Sequence, residues 1–269
     1  LAKYVALVFP KFLLNTPEFS TTRAELAQKS VDAILDFGEK GFPGILVETI
    51  AIFINNLAAP ANTKVFSLTH RLHLTQPQAY IFDPELPYWI IYRNQLFDSV
   101  CRKLDFDVFE VFRDRQLTNK LLSSSGELRV LKSRNLSDDG KEILDIPGYD
   151  SYISYATAKP LSVFQYLDAP NVYLTPNMTY KPRMMKKPPH CVVNGSLAIL
   201  IPKGGIVPTE KQLAYFSSEE YRAFYQIARN FQTRSLNVDA CSVFFYGLLR
   251  DEAKPAPEKF DTSVQLSFL

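Results

Sequence analysis

Basic and amide side chains are concentrated in three short segments of the second half of the chain. The segments are 112–120 (FRDRQLTNK), 129–135 (RVLKSRN) and 180–187 (YKPRMMKK), and the last one contains no acid. Arg, Asn and Gln can hydrogen-bond to base edges, whereas Lys mainly supplies charge to phosphates. These segments, a late helix and the residues after it provide the candidate DNA contacts, which are Arg113, Arg115, Asn119, Lys120, Lys132, Arg134, Asn135, Lys181, Arg183, Lys186, Lys187, Arg229 and Arg234.

The basic segments admit two interpretations. A solvated loop surface would account for any one of them, but three in one region favour a nucleic acid as partner. Pro188 and Pro189 follow the segment 180–187, which is therefore predicted to be stiff and exposed.

Phe42 is a separate candidate site, because it stands in a glycine-rich loop (GFPG, 41–44). In α/β folds such loops lie at the end of the sheet where ligands bind, and an exposed ring there can stack on a planar base. The alternative is that Phe42 packs down as a loop anchor.

The histidines are weaker candidates. His70 and His73 are three residues apart, but the alternating sequence around them predicts a strand and no third metal ligand is nearby. His190 and Cys191 are adjacent, so on an extended chain they point to opposite faces and cannot readily form the hydrogen bond of a Cys-His nucleophile. We therefore predict neither a metal site nor a cysteine nucleophile.

Several familiar motifs are missing from the sequence. No GxGxxG follows a predicted strand, and no GxxxxGK[ST] occurs. Asp239, Glu252 and Lys254 are residue types that can hold Mg²⁺, but their spacing is too common to indicate a nuclease. No catalytic residue is predicted in this chain.

Length and composition set the class of protein. The chain has 269 residues, 46% hydrophobic and 22% charged, which suffices for one large domain or two modest ones and excludes global disorder. Its net charge of +2 does not by itself indicate a polyanionic partner. No apolar run approaches the ~20 residues of a membrane span, and three cysteines at unrelated spacings predict no disulfide framework. We expect a cytoplasmic, soluble protein without a membrane partner.

The apolar pattern predicts an α/β start. Residues 3–9 (KYVALVF) are typical of a central strand covered on both faces in a parallel sheet. Residues 21–29 predict a helix and residues 30–37 the next strand, which makes a β-α-β unit, and residues 45–55 predict a third strand. This set leaves most of its apolar faces uncovered, so we expect it to be the edge of a larger sheet in a longer polypeptide.

The pattern changes along the rest of the chain. Residues 63–105 predict a connector with an amphipathic helix at 87–104, which carries Trp89. Beyond residue 106, short strands, many tyrosines and a helix at 218–230 predict an α+β domain.

The sequence resembles gamma-class N6-adenine DNA methyltransferases of restriction-modification systems. The resemblance rests on YVALVFPKFLLNTPEF and VDAILDFGEKGFPGILVETIAIFIN, and on similarity of FRDRQLTNK, ELRVLKSRNLSDDG, VYLTPNMTYKPRMMKKPP, NGSLAIL and FSSEEYRAFYQIARNFQTRSLNVDACSVFF to target recognition domains. It implies an α/β edge of a Rossmann-like methyltransferase sheet (1–62), the connector (63–105) and an α+β target recognition domain (106–269). It also implies that Phe42 stacks on a flipped adenine.

The sequence departs from this family in the motifs that hold the cofactor and the catalytic residues. Neither an FxGxG-like cofactor motif nor an Asn-Pro-Pro-Tyr motif is present. The segment Asp83-Pro84-Glu85-Leu86-Pro87-Tyr88 contains two prolines and a tyrosine, but they are not contiguous as in that motif. The resemblance therefore implies that S-adenosylmethionine and the catalytic motif are held upstream. It implies double-stranded DNA and a cognate restriction endonuclease as partners, and an endonuclease domain fused upstream stays open.

Two other functions stay open at the level of the sequence. A non-enzymatic DNA-specificity module, resembling a type I specificity subunit, would use the same recognition segments, although the β-α-β start argues against it. A protein-interaction domain with solvated basic loops is the second alternative.

Overall fold

The computed structural model describes residues 2–42, 44, 47–232 and 236–251, which divide into two compact units. Unit 1 comprises residues 2–102 and 227–232 of the described chain, and unit 2 comprises residues 103–226 and 236–251. Among these residues, no helix is both long enough and apolar enough to cross a bilayer.

Unit 1 is built on a five-stranded sheet with the strand order β1-β3-β2-β4-β5. Its elements are β1 (Tyr4–Pro10), α1 (Ser20–Ala27), β2 (Ser30–Gly38), β3 (Thr49–Asn55), β4 (Asn62–Ser67), β5 (Leu72–Pro77), α2 (Gln78–Ile81) and α3 (Gln95–Cys101), with 3₁₀ turns at Lys11–Leu14 and Pro17–Phe19. Neighbouring β2 and β4 are parallel, and the other neighbouring pairs are antiparallel.

The predicted β-α-β unit is present, but its sheet environment differs from the prediction. β1 and β2 both run antiparallel to β3, so they are parallel to each other and are joined through α1. β3 returns from the loop after β2 and inserts between them, which leaves β1 at the edge of the sheet within the described chain. The prediction of a central β1 in a parallel sheet is therefore wrong, because a continuous apolar run does not distinguish a central strand from an edge strand.

The two faces of this sheet differ in exposure. Ile34, Ile50 and Ile52 lie on one face and are each 0% exposed. Tyr4 and Val8 lie on the other face, which we call the open face, together with Phe53, since Phe53 pairs with Ala6 and side chains alternate along a strand. Their exposures are 66%, 55% and 40%.

Residues 63–105, predicted to be a connector, instead complete unit 1. β4 and β5 extend its sheet, and the predicted helix at 87–104 is restricted to α3. Asn94 caps α3 by accepting a hydrogen bond from the Phe97 N–H (3.0 Å). Residues 88–92 are all buried and non-helical, because an uninterrupted apolar run can be enclosed on every side without helical periodicity.

Unit 2 is a mixed α and β structure with short strands. Its elements are β6 (Leu104–Asp105), β7 (Phe109–Phe112), β8 (Leu128–Leu131), β9 (Ser151–Ile153), α4 (Tyr155–Ala158), β10 (Tyr173–Pro176), β11 (Met185–Lys186), β12 (Cys191–Val193), β13 (Leu197–Pro202), α5 (Glu210–Tyr215), α6 (Glu219–Ala228) and β14 (Leu248–Leu249), with 3₁₀ turns at Asn119–Leu121, Ser133–Asn135, Ser162–Tyr166, Lys203–Gly205 and Ser242–Phe245. The strands form sheets in the orders β11-β10-β13-β7, β12-β8-β9 and β14-β6.

The core of unit 2 packs strands against short helices. Val130 and Leu174 are each 0% exposed, and Val163, from the 3₁₀ turn after α4, packs in the same cluster. The late helix predicted at 218–230 is confirmed as α6, whose first turn carries two acids, as the helix dipole favours.

Candidate nucleic-acid interface

The turn at 194–196 connects β12 to β13 and is fixed by its own hydrogen bonds. The Asn194 side chain accepts from the Ser196 N–H (3.1 Å) and hydroxyl (2.6 Å), and the Asn194 N–H donates to Leu131 O (3.1 Å). A Cβ at Gly195 would lie 2.6 Å from Asp114 O. Glycine is therefore required there, because the backbone after β7 passes directly against the turn.

Two further segments meet the same turn. The Ser133 N–H donates to Ser196 Oγ (2.9 Å), and the Asn177 N–H donates to Ser196 O (2.9 Å). Asn177 Nδ2 also donates to Gly195 O (3.0 Å). Residues 113–115, 133–135 and 177–183, which are separate in sequence, are thus brought together.

This convergence assembles four of the sequence-predicted cations, which we call the basic rim: Arg113, Arg115, Arg134 and Lys181. Arg115, Arg134 and Lys181 are exposed, and Arg113 is half-buried. Burial lowers the pKa of Arg113, and the neighbouring charge of Arg115 lowers it further, against the opposite effect of Asp239. Neighbouring like charges of this kind favour an anion such as a phosphate.

One member of the rim already has an acidic partner. Lys181 Nζ lies 2.5 Å from Asp138 Oδ2, and both side chains are more than half exposed. The hydrogen bond from Lys181 holds the pKa of Asp138 below its ordinary value. An exposed pair of this kind contributes little to stability and can open to engage another anion.

Arg134 is positioned over an aromatic ring. Its guanidinium carbon lies 4.7 Å from the centroid of Tyr149, and Lys132 Nζ lies 4.0 Å from the same centroid. Lys132 Nζ also donates to Ser151 Oγ (2.9 Å) and to Tyr149 O. Burial lowers the pKa of Lys132. Because its Nζ is bonded to Tyr149 and Ser151, Lys132 stabilises the loop more than it contributes to ligand binding.

Asn135, predicted to read base edges, is instead structural. It is 0% exposed, and its Nδ2 donates to Asp150 Oδ1 (2.6 Å) and Leu144 O (3.0 Å). Its Oδ1 accepts from the Lys132 N–H (2.9 Å). The prediction is wrong for this residue, because its amide is fully used inside the fold.

Arg183 and Lys187 correct the prediction that segment 180–187 is exposed throughout. Arg183 is 7% exposed and donates to the carbonyls of Lys181, Ser133 and Leu136. Lys187 is 4% exposed, and its Nζ donates to Leu167 O (2.8 Å). Burial lowers the pKa of both side chains. Lys187 follows β11 and is buried, with its N–H donating to Val172 O, whereas Lys186 at the end of β11 stays exposed.

The other residues considered in the sequence do not belong to the basic rim. Asn119 and Lys120 are exposed on a 3₁₀ turn after β7. Arg229 is 1% exposed, in unit 1, so its prediction as a DNA contact is also wrong. Arg234, Glu252 and Lys254 lie outside the described residues.

Phe42 stands in the loop between β2 and β3 and is 45% exposed. At Gly41 the loop packs closely against the start of β3, because a Cβ at this position would lie 2.2 Å from Thr49 Oγ1. Gly38, which ends β2, has a positive φ of 57° that favours glycine. About half of the ring therefore faces solvent.

A buried ion cluster holds both ends of this loop. Lys11 Nζ lies 2.8 Å from Asp36 and 3.2 Å from Glu48, and Tyr92 donates its hydroxyl to Asp36. Asp36 also accepts from the Gly38 N–H (2.9 Å). Burial raises the pKa of Tyr92, and the Asp36 charge raises it further. Sequence reasoning missed this cluster, since its members come from four distant segments.

The histidines and cysteines show no catalytic arrangement. Ring stacking places His73 on Phe66, 4.4 Å between centroids, and His190 lies beside Asp168 (3.2 Å). Burial raises the pKa of Cys101 to about 12, which disfavours the reactive thiolate. Across the described residues, no group of three or more His, Cys, Asp or Glu side chains could hold a metal ion.

Comparisons with known proteins do not establish a family. No family model and no curated protein matches the chain. Among solved structures, the type IIG restriction endonuclease BpuSI matches with a TM-score of 0.33 and 9% identity, over 91% of this chain. The chain spans 39% of the length of that protein. A TM-score at this level does not indicate a common fold, so the function proposed below rests on the residues themselves.

Proposed function

We propose that this chain is the C-terminal portion of a site-specific adenine-N6 DNA methyltransferase of a restriction-modification system. In this proposal unit 2 reads the sequence of a DNA duplex, and unit 1 contributes Phe42 to the pocket of a flipped adenine. The observation that carries the proposal is the meeting of the basic rim at the turn 194–196.

The rim supports DNA as the partner on physical grounds. It groups three arginines and a lysine, although the net charge of the whole chain is only +2. Arginine can bond bidentately to guanine or to phosphate, so one surface can both position and read a duplex.

Unit 1 supports the flipped-base role in two ways. The amino group of adenine that accepts the methyl group cannot be reached inside a stacked duplex, so the base must be extruded and held by stacking. Phe42 is a half-exposed ring on a loop whose ends are fixed by Lys11 and Asp36. Fixed loop ends lower the conformational entropy that is lost when the ring is ordered against a base.

The described residues of unit 1 do not fit S-adenosylmethionine. Asp36, the acid at the end of β2, is 0% exposed and is bonded to Lys11, Tyr92 and Gly38, so it cannot bind the hydroxyls of a ribose. We therefore assign cofactor binding and methyl transfer to a part of the proposed enzyme other than unit 1.

DNA binding is tested by filter binding of a mixed-sequence 30-base-pair duplex to the 269-residue chain over a series of salt concentrations. We expect log Kobs to fall linearly with log salt, with a slope of about −0.9 for each phosphate contacted. Arg115→Ala should make the slope less steep by about 0.9, the contribution of one phosphate contact. Lys211→Ala, an exposed lysine on α5, is the matched control and should leave the slope unchanged.

Absence of binding by the unaltered chain would overturn the proposal. Equal slopes for the Arg115→Ala and Lys211→Ala variants would show that the basic rim does not contact the DNA. The cations of the rim would then be ordinary solvated surface residues.

The role of Phe42 is tested in the chain joined to its upstream catalytic portion, with 2-aminopurine at the target adenine. We expect base extrusion to raise the fluorescence, Phe42→Ala to abolish most of the rise, and Phe42→Trp to retain it because the ring still stacks. A full fluorescence rise with Phe42→Ala would leave Phe42 as a loop anchor.

A further inference from the structure

The loop 177–183 of unit 2 presents two apolar side chains beside the basic rim. Met178 is 52% exposed and Tyr180 is 46% exposed. Large apolar side chains grouped in solvent indicate a surface that is covered in use.

The first end of this loop is fixed by a buried amide. Asn177 is 3% exposed, and its Nδ2 donates to Asn237 Oδ1 (2.6 Å) as well as to the turn 194–196. Its Oδ1 accepts from the Val238 N–H (2.9 Å). Every hydrogen-bonding group of this amide is therefore used to hold the loop.

The second end is fixed by the buried guanidinium of Arg183. Its Nη1 donates to Lys181 O (2.9 Å), and its Nη2 donates to Ser133 O (3.0 Å) and Leu136 O (3.2 Å). Between the two ends, Thr179 Oγ1 accepts from the Lys181 N–H (2.9 Å). A loop fixed at both ends and turned on itself cannot easily fold its apolar side chains back onto the protein.

Charge identifies the partner that this loop fits. Arg183 bonds to Ser133, the neighbour of Arg134. Asn177 bonds to the turn 194–196, which packs against Asp114, the residue between Arg113 and Arg115. Lys181 is itself exposed on the loop. An apolar tip on a loop whose ends bond to cation-bearing segments suits a duplex, whose charged backbone encloses an apolar stack of bases.

We propose that Met178 and Tyr180 form a wedge that enters a base step of the duplex gripped by the basic rim. This inference rests on the proposed DNA-binding function and adds a mechanical role to it. Apolar side chains inserted in this way partly unstack the bases and kink or unwind the helix. Unstacking beside the target would assist the extrusion of a base.

The test measures unwinding, because it needs no knowledge of the recognition sequence. Closed circular plasmid is relaxed by a topoisomerase in the presence of the 269-residue chain, the protein is removed, and the linking number is read on a gel. We expect a shift that grows with protein concentration. The double variant Met178→Ala with Tyr180→Ala should lose at least half of the shift and about ten-fold in affinity for a 30-base-pair duplex.

Two controls separate a wedge from a general surface effect. Tyr180→Phe keeps the ring and should behave as the unaltered chain. Val207→Ala removes another apolar side chain, which is 69% exposed and follows β13 at the strand ends opposite the turn 194–196, and should also have no effect. A duplex with an abasic site, where the cost of unstacking is lower, should be bound more tightly by the unaltered chain but not by the double variant.

The outcomes distinguish this inference from the function on which it rests. Failure of the unaltered chain to bind the plasmid would overturn both. Salt-dependent binding without a change in linking number, or a double variant that unwinds as well as the unaltered chain, would overturn the wedge alone and assign the loop to a protein partner.

Discussion

At the scale of single residues, two adjacent lysines have opposite roles. Lys186 is exposed on β11, whereas Lys187 is 4% exposed and donates to Leu167 O and Pro188 O. Residue type and charge are the same, so only burial and the carbonyls around Nζ separate a surface cation from an internal one.

We predict that Lys187→Ala destabilises the chain by about 1–3 kcal/mol, because it leaves buried carbonyls without a donor. Lys186→Ala should change the free energy of unfolding by less than about 0.5 kcal/mol. Urea unfolding followed by circular dichroism measures both. Equal effects would contradict the internal role of Lys187.

Arg134 is the residue that we expect to read a base. It is exposed, and Tyr149 supports its guanidinium from one side. Arg134→Ala should relax the preference at one base pair by about 1–3 kcal/mol. Sequencing of duplexes selected from a random pool measures this, and an unchanged preference would assign Arg134 to the phosphate backbone.

The sequence identified residues of the right chemical types, but it did not identify their exposure. Arg113, Arg115, Arg134 and Lys181 could be found from clusters of like charge. Asn135, Arg183 and Lys187 can be buried because their side chains donate hydrogen bonds to carbonyls of residues that are distant in the sequence. Ser133, which accepts a hydrogen bond from Arg183, is 50 positions away. No local pattern reports such partners.

At the scale of elements, Asp150 organises the loop that supports Arg134. It accepts hydrogen bonds from the Ile146 N–H (2.9 Å) and Asn135 Nδ2 (2.6 Å), and it pairs with Arg129 (3.0 Å). Burial alone would raise the pKa of this carboxyl, but these three partners outweigh burial and hold the pKa below its ordinary value of 3.8.

A pH dependence follows from this depressed pKa. The stabilisation by ionised Asp150 is fully present above the unfolded value of 3.8 and is lost as the pH falls through the lower folded value. The difference in unfolding free energy between the unaltered chain and Asp150→Asn should therefore be largest at neutral pH and shrink towards pH 3. Urea titrations across this range measure it, and a difference independent of pH would contradict the role of ionised Asp150.

Elements with strong local signals could be predicted, and those without them could not. β2, α1 and α6 lie within one or two residues of their predicted positions, because caps and apolar periodicity define them locally. The edge position of β1 depends on β3 inserting beside it, which is a long-range event. The segment around Trp89 is enclosed by unit 1, including Asn230, whose Nδ2 donates to Trp89 O (2.7 Å).

At the scale of the whole molecule, the open face of unit 1 leaves large apolar side chains in solvent. Tyr4 and Val8 are more than half exposed, on a strand whose outer edge has no neighbouring strand among the described residues. An apolar edge strand is a site at which further strands pair. In the proposed enzyme, the upstream sheet would provide this pairing.

We predict that the 269-residue chain by itself associates with concentration, and that Val8→Lys reduces this association without changing DNA affinity. A charge on an edge strand opposes edge-to-edge pairing, and Val8 belongs to unit 1 whereas the basic rim belongs to unit 2. Sedimentation velocity with filter binding measures both properties. A monomer at all concentrations would contradict the prediction.

The turn at 194–196 also suggests how the protein could be engineered. Because the turn contacts the segments 113–115, 133–135 and 177–183 at once, any side chain introduced at Gly195 would displace Asp114 and disturb all three together. A library that seeks a new DNA preference should therefore keep Gly195, Asn177 and Asn135 constant as a frame. Diversity belongs at positions 113, 115 and 134, where side chains can change while the frame that carries them persists.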